Sequence, residues 1–114
     1  MAYRITITED AERQFQTLSA RDQRILRAAI VARLQHQPTT PTRAVKRLRP
    51  NPAAEYELRA GDLRVLYDVE GDEVVVTVVG LKVGNKLIVA GEDFRGHQNR
   101  APDPPGVGPD EDAD

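Results

Sequence analysis

The sequence contains no cysteine, so the chain forms no disulfides and is compatible with a reducing compartment. It also lacks any apolar run near the ~20 residues that a membrane-spanning helix needs. Its first ten residues, MAYRITITED, lack the long apolar core of a signal peptide. From these absences we expect a cytoplasmic protein with no membrane partner.

What is present describes an ordinary globular domain. The chain has 114 residues, of which 39% are hydrophobic and 30% are charged. This length supports one hydrophobic core but is too short for two. The sequence therefore predicts a single folded domain.

The net charge of −2 conceals two oppositely charged parts. Residues 1–100 hold all 16 Lys and Arg against 13 of the 18 acids, whereas residues 101–114 hold five acids and no base. The body is therefore mildly basic and remains compatible with nucleic acid, although the whole-chain charge is not. We predict a domain over residues 1–95 and a flexible acidic tail over residues 96–114, rich in Pro and Gly. The tail could shield a basic surface of its own chain, mimic phosphate, or serve solubility.

The N-terminal third predicts a strand and two helices. Residues 3–8 alternate between apolar and polar side chains, as in a strand with one buried face. Thr8 and Ser19 each precede an apolar-periodic segment and are suitable N-caps. The second helix is expected at Ala20–Gln35, with its arginines read as a solvated face, and Pro38 prevents its continuation.

A basic segment, TRAVKRLRP, follows at residues 42–50. If it is a strand, Arg43, Arg47 and Arg49 point to one side and Lys46 to the other. Such a row of arginines can bind phosphates. It can equally protect an edge strand against aggregation, and composition does not separate the two readings.

Residues 55–82 predict three antiparallel strands joined by two tight turns at Gly61 and Gly71. The third strand, Val74–Val79, is apolar on both faces and therefore belongs in the middle of the sheet. Strict alternation would place Val74, Val76 and Val78 on one face and Val75, Thr77 and Val79 on the other. One face should meet the second helix. Exposure of Val75 and Val79 would instead mark a groove for a partner.

The element order predicts an α+β fold in which an N-terminal strand and an antiparallel helical hairpin pack on one face of a curled, mainly antiparallel sheet. A last short strand is expected at residues 86–89. This order, together with particular sequence segments, resembles the RelE/ParE superfamily, the toxins of bacterial type II toxin–antitoxin systems. The resemblance is carried by KRLRPNP (46–52), YELRAGDLRVLYDV (56–69) and VVVTVVGLKVGNKLIVAG (74–91).

The resemblance implies a toxin that forms a hetero-oligomer with a cognate antitoxin. Ribosome-dependent members of the superfamily cleave mRNA and so inhibit translation, and their partners are the ribosome and mRNA. Other members share the fold and inhibit DNA gyrase without that chemistry. Fold alone does not distinguish the two branches.

The resemblance also assigns candidate site residues. The phosphate-contacting arginine of RNA-cleaving members matches Arg64, and the arginine that opens the preceding turn matches Arg59. A second catalytic arginine is replaced by Lys82, which keeps the charge but loses the bidentate fork. From their charge, and not from the resemblance, the basic side chains of the 42–50 segment and of the last strand are RNA-binding candidates: Arg43, Lys46, Arg47, Arg49 and Lys86.

Several positions depart from the RNA-cleaving pattern. Glu55 and Glu57 stand where those relatives have lysines, and Ile88 stands where they have a tyrosine. His97 is close in sequence but falls in the predicted tail and is read as a surface residue. RNA cleavage through the 2′-hydroxyl needs a proton acceptor, a proton donor and positive charge. The sequence supplies the charge but an incomplete acid–base set, and it indicates no cofactor and no metal site.

Two classes of function follow from these residues. The first is a ribosome-dependent mRNA endoribonuclease that uses Arg64, Lys82 and Arg59. The second is a non-catalytic toxin that inhibits DNA gyrase or another target, or a degenerate member that only binds its antitoxin. The missing Tyr or His favours the second class.

Overall fold

The computed structural model describes residues 2–49 and 54–94. Its elements, in chain order, are β1 Arg4–Ile7, α1 Glu9–Gln16, α2 Ala20–Leu34, β2 Val45–Arg47, β3 Tyr56–Ala60, β4 Leu63–Glu70, β5 Glu73–Val83, β6 Lys86–Val89 and β7 Glu92–Asp93. The predicted α+β order is confirmed, and β7 is an addition. The predicted tail lies outside the described residues. No helix within the described ranges is long and apolar enough to cross a membrane.

Both helices begin at the predicted caps. The hydroxyl of Thr8 accepts a hydrogen bond from the amide of Ala11 at 3.2 Å, and Ser19 accepts one from the amide of Asp22 at 3.0 Å. Each cap satisfies one of the free amides in a first helical turn. Acidic residues in the first turn of each helix also complement the helix dipole.

The sheet is arranged around β5, as the apolar sequence of this strand predicts. The hydrogen-bonded order is β2-β3-β4-β5-β6-β7, and β1 pairs with β5 in parallel. Pairing with β1 covers Glu73–Val76, and pairing with β6 covers Leu81–Val83, so the two short strands share one edge of the long one. The sheet is mainly antiparallel because its other pairs are hairpins.

The helices cover one face of the sheet and form the main core with it, here called the helix-side core. Its helical part is Ala11 and Phe15 of α1 with Leu26, Ile30 and Leu34 of α2, as predicted. The strands contribute alternate residues, which is the pattern of a sheet with one face on the core. Their fully buried members are Val45, Leu58, Val65, Tyr67, Val74, Val76 and Val79.

A β-bulge in β5 overturns the prediction of strict alternation. Leu66 pairs with Val78, but the next residue, Tyr67, pairs with Val76, so Thr77 is an extra residue. The insertion reverses the facing of every later side chain. Val79 therefore joins Val74 and Val76 in the helix-side core, and Val78 faces the other way. With Val79 only 1% exposed, Val75 and Val79 do not form an open groove.

The other face of the sheet carries a smaller apolar cluster, here called the second cluster. Its buried members are Ala54, Leu66, Val78 and Val89, and Leu48, Leu87 and Phe94 pack against them. Side chains of β6 and the residue after β7 thus cover the β4–β5 centre on this side. Both faces of β5 thus carry buried side chains, while Val75 and Thr77 are half-buried.

Candidate functional site

The candidate arginines lie side by side on the sheet face that carries the second cluster. Arg59 of β3 is directly opposite Arg64 of β4, and Arg64 is opposite Gly80 of β5. Leu63 and Val65, which flank Arg64, point into the helix-side core, so the Arg64 side chain points away from the helices. We call the surface formed by Lys46, Arg59, Arg64 and Lys82 the Arg64 face.

Arg64 is buried, with 9% of its surface exposed. Its Nη1 donates hydrogen bonds to the carbonyl oxygens of Gly61 at 2.7 Å and Leu63 at 2.9 Å. Gly61 is in the β3–β4 turn and Leu63 is the first residue of β4, so the guanidinium folds back towards the turn and stabilises it. Within the described ranges Arg64 has no carboxylate partner. Its charge is therefore positioned by neutral groups and remains uncompensated.

Gly80 allows β6 to approach this row of residues closely. A Cβ at Gly80 would lie 2.5 Å from the carbonyl oxygen of Ile88 and 2.9 Å from Cγ2 of Val89. Any side chain would therefore push β6 away from the β4–β5 centre. Sequence reasoning assigned no role to Gly80, and its only signal was a glycine directly after six strand-forming residues.

Lys82 extends the positive surface along β5. It lies on the same face as Gly80, two residues further on, and its side chain is exposed. Its backbone amide donates to the carbonyl of Asp62 at 2.8 Å, which holds it beside the β3–β4 turn. Among the residues that the structure describes, its ammonium group has no ion-pair partner.

Arg59 is partly neutralised by its neighbour. Its Nε donates to Oε1 of Glu57 at 3.0 Å, with side chains 39% and 17% exposed. Glu57 is thus close to Arg59 and on the same side of β3. Glu55 is exposed and precedes the strand. Glu57 is one of the two acids that stand where lysines were expected, and it therefore places a negative charge on the Arg64 face.

The basic segment does not form a single arginine row. Only Val45–Arg47 is a strand, so Arg43 and Arg49 are exposed residues outside it. Lys46 pairs with Glu57 and lies on the Arg64 face. Arg47 instead lies over the ring of Tyr56, 5.7 Å from its centroid. Lys86 on β6 forms an ion pair with Asp93 at 3.6 Å.

The tyrosines lie on the helix side of the sheet. Tyr67 is fully buried and donates its hydroxyl hydrogen to the carbonyl of Pro38. Burial, and secondarily the nearby Tyr56, raises the pKa of Tyr67 well above its ordinary value. Tyr56 is stacked on Tyr67 at 5.5 Å, and Tyr3 packs against the same core. His36 is exposed just after α2, and His97 lies outside the described residues.

Comparisons with known proteins agree with this arrangement of strands and helices. Residues 5–85 match the family described as ParE toxin of type II toxin–antitoxin system, parDE. The chain belongs to the ParE toxin family. It is therefore a toxin of a type II toxin–antitoxin system. The matched range includes Arg59, Arg64 and Lys82 and ends before Lys86.

A solved structure shows a similar fold. A chain in the crystal structure of the toxin–antitoxin complex RelBE2 from Mycobacterium tuberculosis is 25% identical in sequence. The TM-score is 0.60, and the alignment covers 72% of this chain and all of the other. A search of curated proteins found no match. The RelE/ParE resemblance of the sequence is thus confirmed at the level of superfamily and fold.

The site of this ParE-family toxin presents positive charge without an evident proton donor. Arg64 and Lys82 supply uncompensated charge, and Arg59 supplies charge shared with Glu57. Such a face can bind an anionic group through charge-assisted hydrogen bonds. In the described ranges no Tyr or His side chain accompanies these cations on the same face.

Proposed function

We propose that this ParE-family toxin inhibits its target by binding, without cleaving RNA, and that the target is DNA gyrase. The observation that carries the proposal is the placement of Tyr3, Tyr56 and Tyr67 on the side of the sheet opposite Arg64. Gyrase is the target that the RelE/ParE resemblance implies for members without nuclease chemistry. The Arg64 face is the proposed contact surface.

The chemistry of RNA cleavage supports the exclusion of a nuclease. Attack by a ribose 2′-hydroxyl needs a base to remove its proton and an acid to protonate the leaving oxygen. Glu57, a carboxylate on the Arg64 face, is bound to Arg59 and would repel a phosphate. Tyr67 is held protonated by its raised pKa and donates its hydrogen to Pro38. Neither group is arranged for proton transfer at Arg64.

A second candidate function is the ribosome-dependent mRNA endoribonuclease. The observation in its favour is the joint placement of Arg59, Arg64 and Lys82 on one face. Positive charge directed at a developing phosphorane is a large catalytic contribution. A target-supplied acid, such as a group on the ribosome, would be needed to complete the reaction.

We also propose that the cognate antitoxin is a protein partner of this chain. The support is the RelBE2 structure, which by its title is a toxin–antitoxin complex and whose matched chain is fully covered. Induction of the toxin alone should arrest growth, and co-expression with the adjacent small gene should relieve the arrest. Failure to arrest growth, with folded protein present in the cells, would contradict the toxin activity.

The gyrase proposal is tested by a supercoiling assay with purified proteins. We expect inhibition by the full chain and weaker inhibition by Lys82→Glu, because this exposed residue lies on the Arg64 face. The matched control is Arg24→Glu, the same charge reversal on the exposed side of α2, which should inhibit as the unsubstituted chain does. Absence of inhibition by all three folded proteins would refute the gyrase target. An equal loss in both variants would show that the Arg64 face is not the contact surface.

A further inference from the structure

The described part of the chain ends on the Arg64 face. Phe94 packs against the second cluster, and its backbone amide donates to the carbonyl of Leu87 at 2.7 Å. Leu66 of that cluster lies two residues from Arg64 on the same side of β4, a separation of about 7 Å. The residues after Phe94 therefore start from the face that carries the uncompensated cations.

The sequence after Phe94 has the complementary charge. Its last 14 residues contain Asp103, Asp110, Glu111, Asp112 and Asp114 and no Lys or Arg. The Arg64 face contributes four cations: Lys46, Arg59, Arg64 and Lys82. Its acids are Glu57, which is bound to Arg59, Asp68, which accepts a hydrogen bond from the amide of Glu55, and the exposed Asp62 of the turn beside Lys82. The face thus has a net charge of the sign opposite to that of the tail.

We propose that the acidic segment 101–114 docks on the Arg64 face of its own chain and competes with the toxin's target for that face. The carboxylates of Asp110–Asp112 would occupy the position of an anionic ligand beside Arg64 and Lys82. The docking is a property of this chain alone. The competition rests on the proposed function, because it requires that the target use the same face.

Chain length permits this contact. A random coil as long as the segment from Phe94 to Asp110 has an average end-to-end distance of about 20–24 Å. The face needs less, because the amide of Phe94 is bonded to Leu87, and Leu87 pairs with Lys82 across β5 and β6. Tethering over such a span gives an effective concentration of roughly millimolar. Individually weak ion pairs are therefore sufficient for substantial occupancy at low salt, and salt should release them.

The alternative basic surface for the acidic tail is α2, which carries Arg21, Arg24, Arg27 and Arg33. Arg21 is within 3.7 Å of Asp22, and Arg27 lies over the ring of Phe15 at 4.7 Å. This helix is on the other side of the sheet from Phe94. The point at which the tail leaves the domain therefore favours the Arg64 face over α2.

A single spin label tests the docking. Because the chain has no cysteine, Ala113→Cys provides one unique attachment site for a nitroxide in the full-length protein. At low salt we expect paramagnetic broadening of the amide signals of Arg59, Gly80 and Lys82, and much less at Arg24 and Ala28. High salt should abolish the difference, and so should neutralisation of the tail by D110N, E111Q, D112N and D114N.

Paired substitutions locate the docking surface. Lys82→Glu should reduce the broadening on the Arg64 face, whereas Arg24→Glu should leave it unchanged. Broadening that is uniform over both faces, or stronger on α2, would overturn the proposal. Broadening that appears only when labelled chains are mixed with isotope-enriched unlabelled chains would show contact between two copies and would overturn it as well.

The supercoiling assay tests the competition separately. If the tail competes with gyrase, the neutralised tail should lower the inhibitory concentration severalfold at low salt, with little effect at high salt. If the unsubstituted chain shows the broadening but neutralising the tail leaves the inhibitory concentration unchanged, the competition is refuted. Broadening without gyrase inhibition by any form would refute the proposed target and leave the docking intact. Inhibition without broadening would refute the docking alone.

Discussion

Arg64 of β4 and Gly80 of β5 lie opposite each other on neighbouring strands. They contribute to the site through different physical properties. Arg64 is held by the carbonyl oxygens of Gly61 in the turn and of Leu63 at the start of β4, which fixes its guanidinium without cancelling its charge. Gly80 contributes only its lack of a side chain, which lets the backbone of β6 approach. The charge of the site and the close packing beside it are therefore set by single residues on neighbouring strands.

Gly80→Ala should strongly destabilise the fold. The added methyl would lie 2.5 Å from the carbonyl oxygen of Ile88, and a backbone atom of a paired strand cannot move away alone. We expect a loss of about 2–3 kcal/mol in the free energy of unfolding by urea denaturation. The control is Gly71→Ala, which meets no atom within 4 Å but has a φ of +62°. Its expected loss is about 1 kcal/mol. A Gly80→Ala loss no larger than that of the control would contradict the close approach of β6.

Tyr67 should make stability depend on alkaline pH. Its pKa is raised in the folded state, so the folded protein retains the phenol proton more strongly than the unfolded chain does. The resulting stabilisation is complete below the unfolded pKa of about 10 and is lost as the pH rises above it. Between pH 10 and 11 we expect a fall of about 1 kcal/mol in the free energy of unfolding.

The corresponding control for this pH dependence is Tyr67→Phe. This variant should be less stable at neutral pH, because the hydrogen bond to Pro38 is lost, but its stability should fall less steeply above pH 10. Urea denaturation at pH 9, 10 and 11 measures both slopes. Equal slopes for the two proteins would show that Tyr67 is not the group responsible.

At the scale of elements, periodicity and turn chemistry predict most of the fold. The two capped helices, the hairpins at Gly61 and Gly71 and the central position of β5 all follow from local patterns. The bulge at Thr77 does not, because a run of valine and threonine residues presents the same side chains whichever one is inserted. A single extra residue then exchanges the faces of Val78 and Val79.

Part of the candidate site also follows from local sequence patterns. Arg59 and Arg64 are symmetric about the turn at residues 61–62, so hairpin register brings them together. The arginine row that would follow if residues 42–50 were one strand does not form, because only three of them form a strand and Arg47 stacks on Tyr56. The carbonyl partners of Arg64 and the role of Gly80 depend on tertiary contacts that no local pattern encodes.

The gap between β1 and β6 along β5 is closed by a helix. The amide of Val79 lies between the stretches of β5 paired with the two short strands, and it donates to Oε1 of Gln14 at 2.9 Å. A side chain of α1 thus replaces a strand at this point. The contact connects the helix to the bulged part of the sheet.

Gln14→Ala should therefore destabilise the protein more than an exposed glutamine substitution would. Removing the amide oxygen leaves the Val79 amide without an acceptor, at an expected cost of about 1–3 kcal/mol. Gln16→Ala on the same helix is the control, since Gln16 is exposed and its side chain donates a hydrogen bond to the Glu12 carboxylate. We expect a change within about 0.5 kcal/mol for the control. Equal effects in urea denaturation would show that the Val79 contact contributes little.

At the scale of the whole molecule, the two sides of the sheet have different roles. The helix side contains the main core and the tyrosines, and the other side contains the second cluster and the uncompensated cations. This separation removes the tyrosine hydroxyls from Arg64, which is the physical reason for proposing inhibition by binding. The acidic tail adds a segment of opposite charge that starts from the cationic side.

Mapping of mRNA 5′ ends during growth arrest tests directly whether the toxin acts without RNA cleavage. Cells that express the toxin are compared with cells arrested by a small-molecule gyrase inhibitor. We predict that the two sets of mRNA ends are the same, with no new ends positioned by the reading frame. New in-frame ends that appear only with the toxin, and disappear with Arg64→Ala in folded form, would contradict the account and establish the endoribonuclease.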